Sequence, residues 1–552
     1  MVKNKLFLLI ITIVFASTMH AQIYYRVDFT NKYNTNFSLD HPEEYLSARA
    51  IDRRTKFNIQ IDSTDLPVNS WYLDSLRNLG CEIVHSSRWF NSAVIKINDS
   101  NLVNTITQLS CVRNVQLVKP IVNKDDNNDK KTSTQYIDYV NIKNKKIKIP
   151  NTIYGFSTNQ NQMIGIHILH QFGYRGDGIM IAVMDAGFSG VDNVPFFDSL
   201  RLQNRLLGTR DFVYPDNNVY NKSTHGTSVL ALMASNIPNI LVGTAPRASY
   251  WLIRTEDPAT EYIIEEENWI VGAEFADSVG ADIINSSLGY TTFNLSSQDH
   301  TYMDLDGKTA RASKGATIAA SKGIIVCNSA GNSGNLDWHY IGVPADADSI
   351  ITVGGVDSLG IIASFSSRGP TSDGRIKPTI CAQGAQVYTG TQDSSIIIGN
   401  GTSFSSPIIA GATACLLQKH PNVDPFNIIQ AIIKSGNKYL TPDNNYGYGI
   451  PNFAIADIFA NDTSISTPTW LDNSPFIYPN PFTSSLNIIY KSNEKDIINL
   501  ALYSIDGKQI FSNVYKLYPG NNYIVLDQLD TLAAGTYLLS LGANLPIKLI
   551  KN

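Results

Sequence analysis

From residue 166 to about 460 the chain alternates between two hydrophobic patterns. An unbroken apolar run occupies 179–184 (IMIAVM), and similar runs occupy 249–253, 282–285, 323–327 and 350–353. A run that is apolar at every position reads as a strand buried on both faces, as in a parallel sheet. Stretches with helical spacing lie between several of them, notably 261–279 and 408–419. Strand and helix in alternation predict an α/β doubly wound parallel sheet. The flanks differ. Residues 22–122 predict a small α+β unit, with strands over 81–84, 93–97 and 112–118 and a helix over 102–109. Residues 476–552 carry short strands, such as 485–490, 499–504 and 536–541. Turns at Asp506-Gly507 and Ala534-Gly535 separate them, which predicts a β-sandwich. Two polar stretches, 123–165 and 461–475, read as linkers, the first an exposed target for proteolysis.

The first residues, MVKNKLFLLIITIVFASTMHAQ, place Lys3 and Lys5 before an apolar run over 6–16 and small residues up to Ala21. This is a secretory signal peptide pattern over 1–21, with cleavage expected after Ala21. The run is shorter than the roughly 20 residues that span a bilayer. No later stretch is long enough either, so the mature chain is expected to have no membrane-spanning segment. Export would expose cysteines to oxidation. There are five, Cys81, Cys111, Cys327, Cys381 and Cys415, with no CxxC pair. That excludes a disulfide scaffold and a thiolate zinc site; paired cysteines could still bridge, the odd count leaves at least one unpaired, and most of them read as buried free thiols. Lys and Arg number 43 against 48 Asp and Glu, a net charge of −5, so no basic field is available to hold nucleic acid.

Candidate chemistry lies in the middle region. Asp185 ends the apolar strand in IAVMDAG, at the edge where parallel sheets place their ligands. His225 stands in STHGTSVLALMA, before a helical pattern. Ser403 stands in NGTSFSSPIIAGATACLL, where Gly401 permits a tight approach and a helix is expected to begin right after the serine. Backbone N–H groups at a helix start can help hold a developing oxyanion. A serine hydroxyl needs a base within reach, and the base needs an orienting acid. Asp185, His225 and Ser403 supply one of each. Asn332, after a strand in IIVCNSAGNSGN, offers an amide donor for the tetrahedral oxyanion. Each has a bland reading alone: a turn cap, a satisfied core histidine, a helix N-cap. Together, in this order, they favour the catalytic one.

IAVMDAG, THGTSV, SAGNSG and GTSFSSP resemble the four signatures of the subtilases, the subtilisin-like serine peptidases. INSSLGY, VGTAP, FSSRGP and KPTICAQG add to the likeness, which covers roughly 166–455. The resemblance implies that Asp185 orients, His225 is general base and acid, Ser403 attacks and Asn332 stabilises the oxyanion. It implies that Ser287, Leu288 and Gly289 wall the pocket for the residue before the scissile bond. It thus implies a secreted serine endopeptidase acting on protein or peptide substrates through an acyl-enzyme, with no cofactor required. The related sedolisins use a Glu where this chain has His225. Residues 22–122 look like a subtilase propeptide. Residues 476–552 look like a type IX secretion sorting domain, on the strength of Tyr478-Pro479-Asn480-Pro481-Phe482, LYSIDGKQI, AAGTYLLSL and the terminal KLIKN. That likeness implies the type IX secretion machinery as a partner, and a route through the periplasm to the outer surface or the medium.

There are departures and side candidates. Ala186 replaces the hydroxyl residue that often follows the catalytic Asp, Gln383 replaces a usual Pro, and Phe404 stands where Met is commoner. Asp304 and Asp306 in DLDG offer oxygens for a structural calcium, although such a pair more often closes a turn. Glu265, Glu266 and Glu267 read as a solvated helix face. Glu256 and Asp257 read either as a solvated loop or as cleft residues that favour a basic substrate side chain. A catalytically silent binding protein is the competing function, and the intact set of four speaks against it.

Overall fold

The computed structural model describes residues 22–121, 140–141, 149–214 and 216–461. Beyond the second linker it describes 475–478, 480–482, 486–492, 494–517, 520–527, 529–542 and 546–551. The expected signal peptide lies outside the described residues. Seven parallel strands form the central sheet, in the spatial order Ile380–Gln383, Ile351–Val356, Ile325–Ser329, Ile283–Ser286, Met180–Asp185, Ser249–Arg254, Leu206–Asp211. Alternate residues leave each strand on opposite faces. Ile181 and Val183 therefore enter one core, and Ala182 and Met184 the other. The first core packs against His225–Ala234 and Thr402–Lys419, the second against Ile264–Val279 and Arg311–Ser321. With both faces covered, the inner strands are built mainly of apolar residues, and burying each Val or Ile is worth ~1.5–3 kcal/mol.

Chain order reverses beside Met180–Asp185. Successive strands go one way as Ser249–Arg254 and Leu206–Asp211, and the other way from Ile283–Ser286 onward. Such a switch opens a crevice at the carboxyl ends of the strands.

The N-terminal unit is a four-stranded antiparallel sheet in the order Glu82–Ser87, Ser92–Ile97, Ile23–Phe29, Val112–Lys119, with helices Ala48–Lys56, Ser70–Asn78 and Leu102–Thr107. It docks on helix Ile264–Val279. Asp277 of that helix accepts hydrogen bonds from Arg53, Arg54 and Arg88, and Glu274 accepts from Ser87 and from the Arg88 and Trp89 backbone. Glu267 binds Arg26 of the N-terminal unit and Arg311. Part of the expected linker 123–165 is built into the fold instead. Thr158–Met163 is helical, Asn161 donates to the Val242 carbonyl at 3.0 Å, and Ile164 is fully buried. Its polar composition disguised side chains whose hydrogen bonds are made inside the protein.

The C-terminal residues form sheets of three and four antiparallel strands that enclose one apolar core around Leu486, Leu500 and Leu539, as a sandwich does. All five cysteines are buried and free. Among the described residues no helix is long and apolar enough to cross a membrane.

Candidate active site

Asp185 closes the strand at the reversal point, level with Arg254 on one neighbour, while Ser286 pairs with Met184 on the other. His225 opens the helix His225–Ala234. A Cβ on Gly226 would meet the Gly187 carbonyl at 2.5 Å and the Phe188 ring at 2.7 Å. Only glycine lets the helix start dock there, and the Gly226 N–H donates to Gly187 at 3.0 Å. This docking holds His225 against Asp185: Nδ1 donates to both carboxylate oxygens, at 2.8 and 2.9 Å. A carboxylate can only accept, so Nδ1 carries the proton and Nε2 keeps its lone pair. Nε2 is buried and has no hydrogen-bond partner among the described residues. Asp185 is wholly buried, and its Oδ1 also accepts from the Ala186 N–H at 2.8 Å, a backbone donor beside a side chain that carries no hydroxyl. Burial pushes the imidazole pKa of His225 down, but the charge and hydrogen bond of Asp185, with a contribution from Glu256, hold it above its ordinary value.

Ser403 is the second residue of the buried helix Thr402–Lys419, which starts one residue before the serine and not after it. Gly401 supplies the cap with φ +150°, a conformation that disfavours other residues. The Ser403 hydroxyl donates to the Ser287 carbonyl at 3.4 Å, and the Ser287 hydroxyl donates to the Ser403 carbonyl at 3.0 Å. Asn332 sits beside them. Its Oδ1 accepts from the Thr402 N–H at 2.9 Å and from the Thr402 hydroxyl at 3.0 Å. Its buried Nδ2 has no partner among the described residues. Ser287, Leu288 and Gly289 follow strand Ile283–Ser286, and a Cβ on Gly289 would meet only the Val343 carbonyl, at 3.7 Å. The residue after them, Tyr290, exchanges backbone hydrogen bonds with Val343 at 2.7 and 3.0 Å. Gln383 ends strand Ile380–Gln383 and is held by Asn159 and the carbonyls of Ala385 and Gln386, so its side chain is absorbed locally.

The acidic residues depart from their sequence reading. Glu265, Glu266 and Glu267 are buried, not solvated. Glu266 is held by His300 and the Ala312 N–H, and Glu267 by Arg26 and Arg311; partners distant in sequence made burial invisible to local pattern. Glu256 is also buried, hydrogen-bonded by the Tyr290 hydroxyl, and burial followed by the charge of Asp185 pushes its pKa up to about 8. Asp257 accepts from the Lys119 ammonium at 3.2 Å and the Tyr214 hydroxyl at 2.8 Å. The two do not form a solvated loop. Asp304 accepts from the Thr301 N–H and hydroxyl, and Asp306 from the backbone of Lys308 and Thr309, as turn carboxylates do. Sequence reasoning missed Thr402 as the residue that orients Asn332; its place between Gly401 and Ser403 was the available signal.

Residues 176–449 match the subtilase family model, residues 24–136 the peptidase S8 propeptide domain of Bacteroidota, and residues 476–551 the secretion system C-terminal sorting domain. Subtilisin E of Bacillus subtilis (strain 168) is 32% identical over 292 residues, covering 52% of this chain and 68% of that protein. A subtilisin of Bacillus pumilus is 31% identical, covering 52% of this chain and 94% of that protein. Serine protease AprX of B. subtilis (strain 168) is 31% identical over 307 residues, covering 50% and 65%. The C-terminal match marks type IX secretion to the cell surface or the extracellular space. A subtilase model over the seven-stranded sheet, and relatives aligned over most of their own length, establish that the chain belongs to the subtilase family and is a serine endopeptidase.

Proposed function

We propose that the chain cleaves peptide bonds by acyl transfer, with Ser403 as nucleophile, His225 as base and then acid, Asp185 as its orienting carboxylate and Asn332 as oxyanion donor. The observation that carries this reading is the doubly hydrogen-bonded Asp185–His225 pair, which leaves Nε2 as a proton acceptor without a partner. In the first step the Ser403 Oγ attacks the scissile carbonyl and its proton passes to Nε2. Collapse of the tetrahedral oxyanion expels the amine, which takes that proton. Water repeats the sequence and frees the acid. The unpaired Nδ2 of Asn332 is available to the oxyanion. The backbone of Ser287, Leu288 and Gly289 pairs with an extended substrate as an added strand.

The N-terminal unit acts as an inhibitory propeptide that is cut away within 123–139, and the C-terminal sandwich is the element read by the type IX machinery. The deciding experiment is labelling with a serine-reactive phosphonate, followed by peptide mapping. Ser403 is expected to carry the label, and Ser403→Ala to lose both label and turnover. Peptidase activity persisting in Ser403→Ala, or a label on another serine, contradicts the assignment.

A further inference from the structure

Asp257 stands three residues beyond Arg254, which is level with Asp185 in the central sheet. It therefore lies where that strand leaves the sheet at the catalytic edge. The Thr255 N–H donates to the Asp185 carbonyl at 3.2 Å. Glu256, the next residue, is held by the hydroxyl of Tyr290, which directly follows Ser287, Leu288 and Gly289. The Tyr214 hydroxyl, on the chain that leads to His225, donates to Asp257 Oδ1 at 2.8 Å. The half-buried carboxylate of Asp257 thus sits on a short loop tied to the Asp185 strand on one side and to the pocket wall on the other.

This carboxylate already holds a cation, the ammonium of Lys119, the last residue of strand Val112–Lys119 in the N-terminal unit. Lys119 Nζ donates to Asp257 Oδ2 at 3.2 Å and to the Thr260 hydroxyl at 3.1 Å, and it lies 5.8 Å from the centre of the Tyr262 ring. The Thr260 hydroxyl itself donates to Asp257 Oδ2 at 3.1 Å, which leaves its lone pairs for the ammonium. Carboxylate, hydroxyl oxygen and aromatic face are groups that an ammonium or a guanidinium can use together. The chain that delivers Lys119 is seated as well. The Gln298 side-chain amide donates to the carbonyls of Leu117 and Val118 at 3.3 and 3.5 Å, and Val118 packs on Tyr262 and Ile264.

The inference rests on the reading above that the N-terminal unit is a propeptide cut away within 123–139. Its departure removes Lys119 and leaves a half-buried carboxylate short of its cation, which favours the next ammonium or guanidinium to arrive. A cut at the start of that segment, before or after Asn123, makes Lys119 the fourth or fifth residue ahead of the scissile bond. We propose that Asp257, with Thr260 and Tyr262, is a specificity subsite for a lysine or arginine side chain four or five residues before the bond cleaved, and that Lys119 fills it in the uncut chain. The substrates are then protein segments with a basic residue upstream of the cut. An acidic residue at that place meets Asp257 and is rejected by like charge.

The test uses the matured, secreted enzyme and fluorogenic peptides that differ only in carrying Lys, Gln or Glu at those two positions. The kcat/KM of the lysine peptides is expected to exceed that of the glutamine peptides about tenfold or more, with the glutamate peptides cut least. In Asp257→Asn the lysine-to-glutamine ratio should fall to about one, because the charge that reads the side chain is gone. That variant also deprives Lys119 of its partner during folding, so a second one exchanges the charges, Asp257→Lys with Lys119→Glu in the same chain. It should mature and prefer glutamate to lysine. The inference is overturned if the parent shows no basic preference at either position, if the preference survives Asp257→Asn, or if the charge-exchanged enzyme still favours lysine. A parent that cuts no peptide faster than Ser403→Ala gives a different result: it overturns the acyl-transfer reading, and the subsite with it.

Discussion

Thr402 donates both its backbone N–H and its hydroxyl to the Oδ1 of Asn332. The amide is thereby fixed with its acceptor consumed and its donor end unpaired. Asn332→Ala is expected to lower kcat by about 10²–10³, or ~2.7–4 kcal/mol, with KM little changed; this is the loss known for the equivalent donor of subtilisin itself. Thr402→Val keeps the N–H and removes the hydroxyl, so a smaller fall in kcat is expected. Steady-state kinetics on a peptide substrate separates the two, and an unaltered kcat in Asn332→Ala would remove it from the oxyanion site.

The pH profile follows from the His225–Asp185 pair. In the proposed mechanism the neutral imidazole is the base, and the His225 pKa is held above the ordinary 6.5. Activity should therefore fall as pH drops through a pKa above 6.5. In Asp185→Asn the imidazolium loses its counter-charge while burial still opposes it, so the limb should move to lower pH. The rate should fall on the order of 10⁴, the size seen for the matching carboxylate in subtilisin. A kcat/KM profile whose acid limb stays in place in Asp185→Asn would contradict this account.

Asp277 governs docking of the N-terminal unit. It is fully buried beneath three arginines from that unit, at 2.6 Å from Arg88 and 2.8 Å from Arg54. Asp277→Ala leaves buried guanidinium groups short of a partner, which costs roughly 3–5 kcal/mol. Inhibition of the mature enzyme by the separately expressed N-terminal unit should weaken by about 10²–10⁴-fold. Turnover without that unit should not change, because Asp277 makes no contact with Asp185, His225, Ser403 or Asn332 among its hydrogen bonds. Equal inhibition constants for the parent and the variant would show the cluster to be incidental.

The sandwich over 476–551 has its own core, so the endopeptidase should fold without it. A chain ending at 475 is expected to collect in the periplasm and to be active after lysis. Cell fractionation checks the first part and a peptidase assay the second. Normal export of the shortened chain would contradict the sorting role.

Much of this was legible in the sequence because it is local. His225 and Ser403 open helices, Asp185 ends a strand and Asn332 lies in the loop after one, and such element ends carry short signatures of glycine and hydroxyl residues. The central strands were readable for the same reason: burial on both faces leaves short runs dominated by apolar residues, as in 179–184. What stayed hidden depends on partners far along the chain. Glu266 is buried because His300 meets it, and Asp277 because Arg53, Arg54 and Arg88 do, 189 or more positions away. Residues 158–163 look like linker because their polar groups are satisfied by carbonyls that no local pattern reveals.

The five buried thiols give the molecule a set of built-in clocks. Cys81 and Cys111 lie in the N-terminal unit, and Cys327, Cys381 and Cys415 in the sheet and helix behind the active site. Burial raises the pKa of each and suppresses the reactive thiolate. An alkylating reagent can reach them only when the surrounding structure opens. Labelling of the first pair thus times the opening of the N-terminal unit, and labelling of the other three times that of the endopeptidase, in a single mass spectrum.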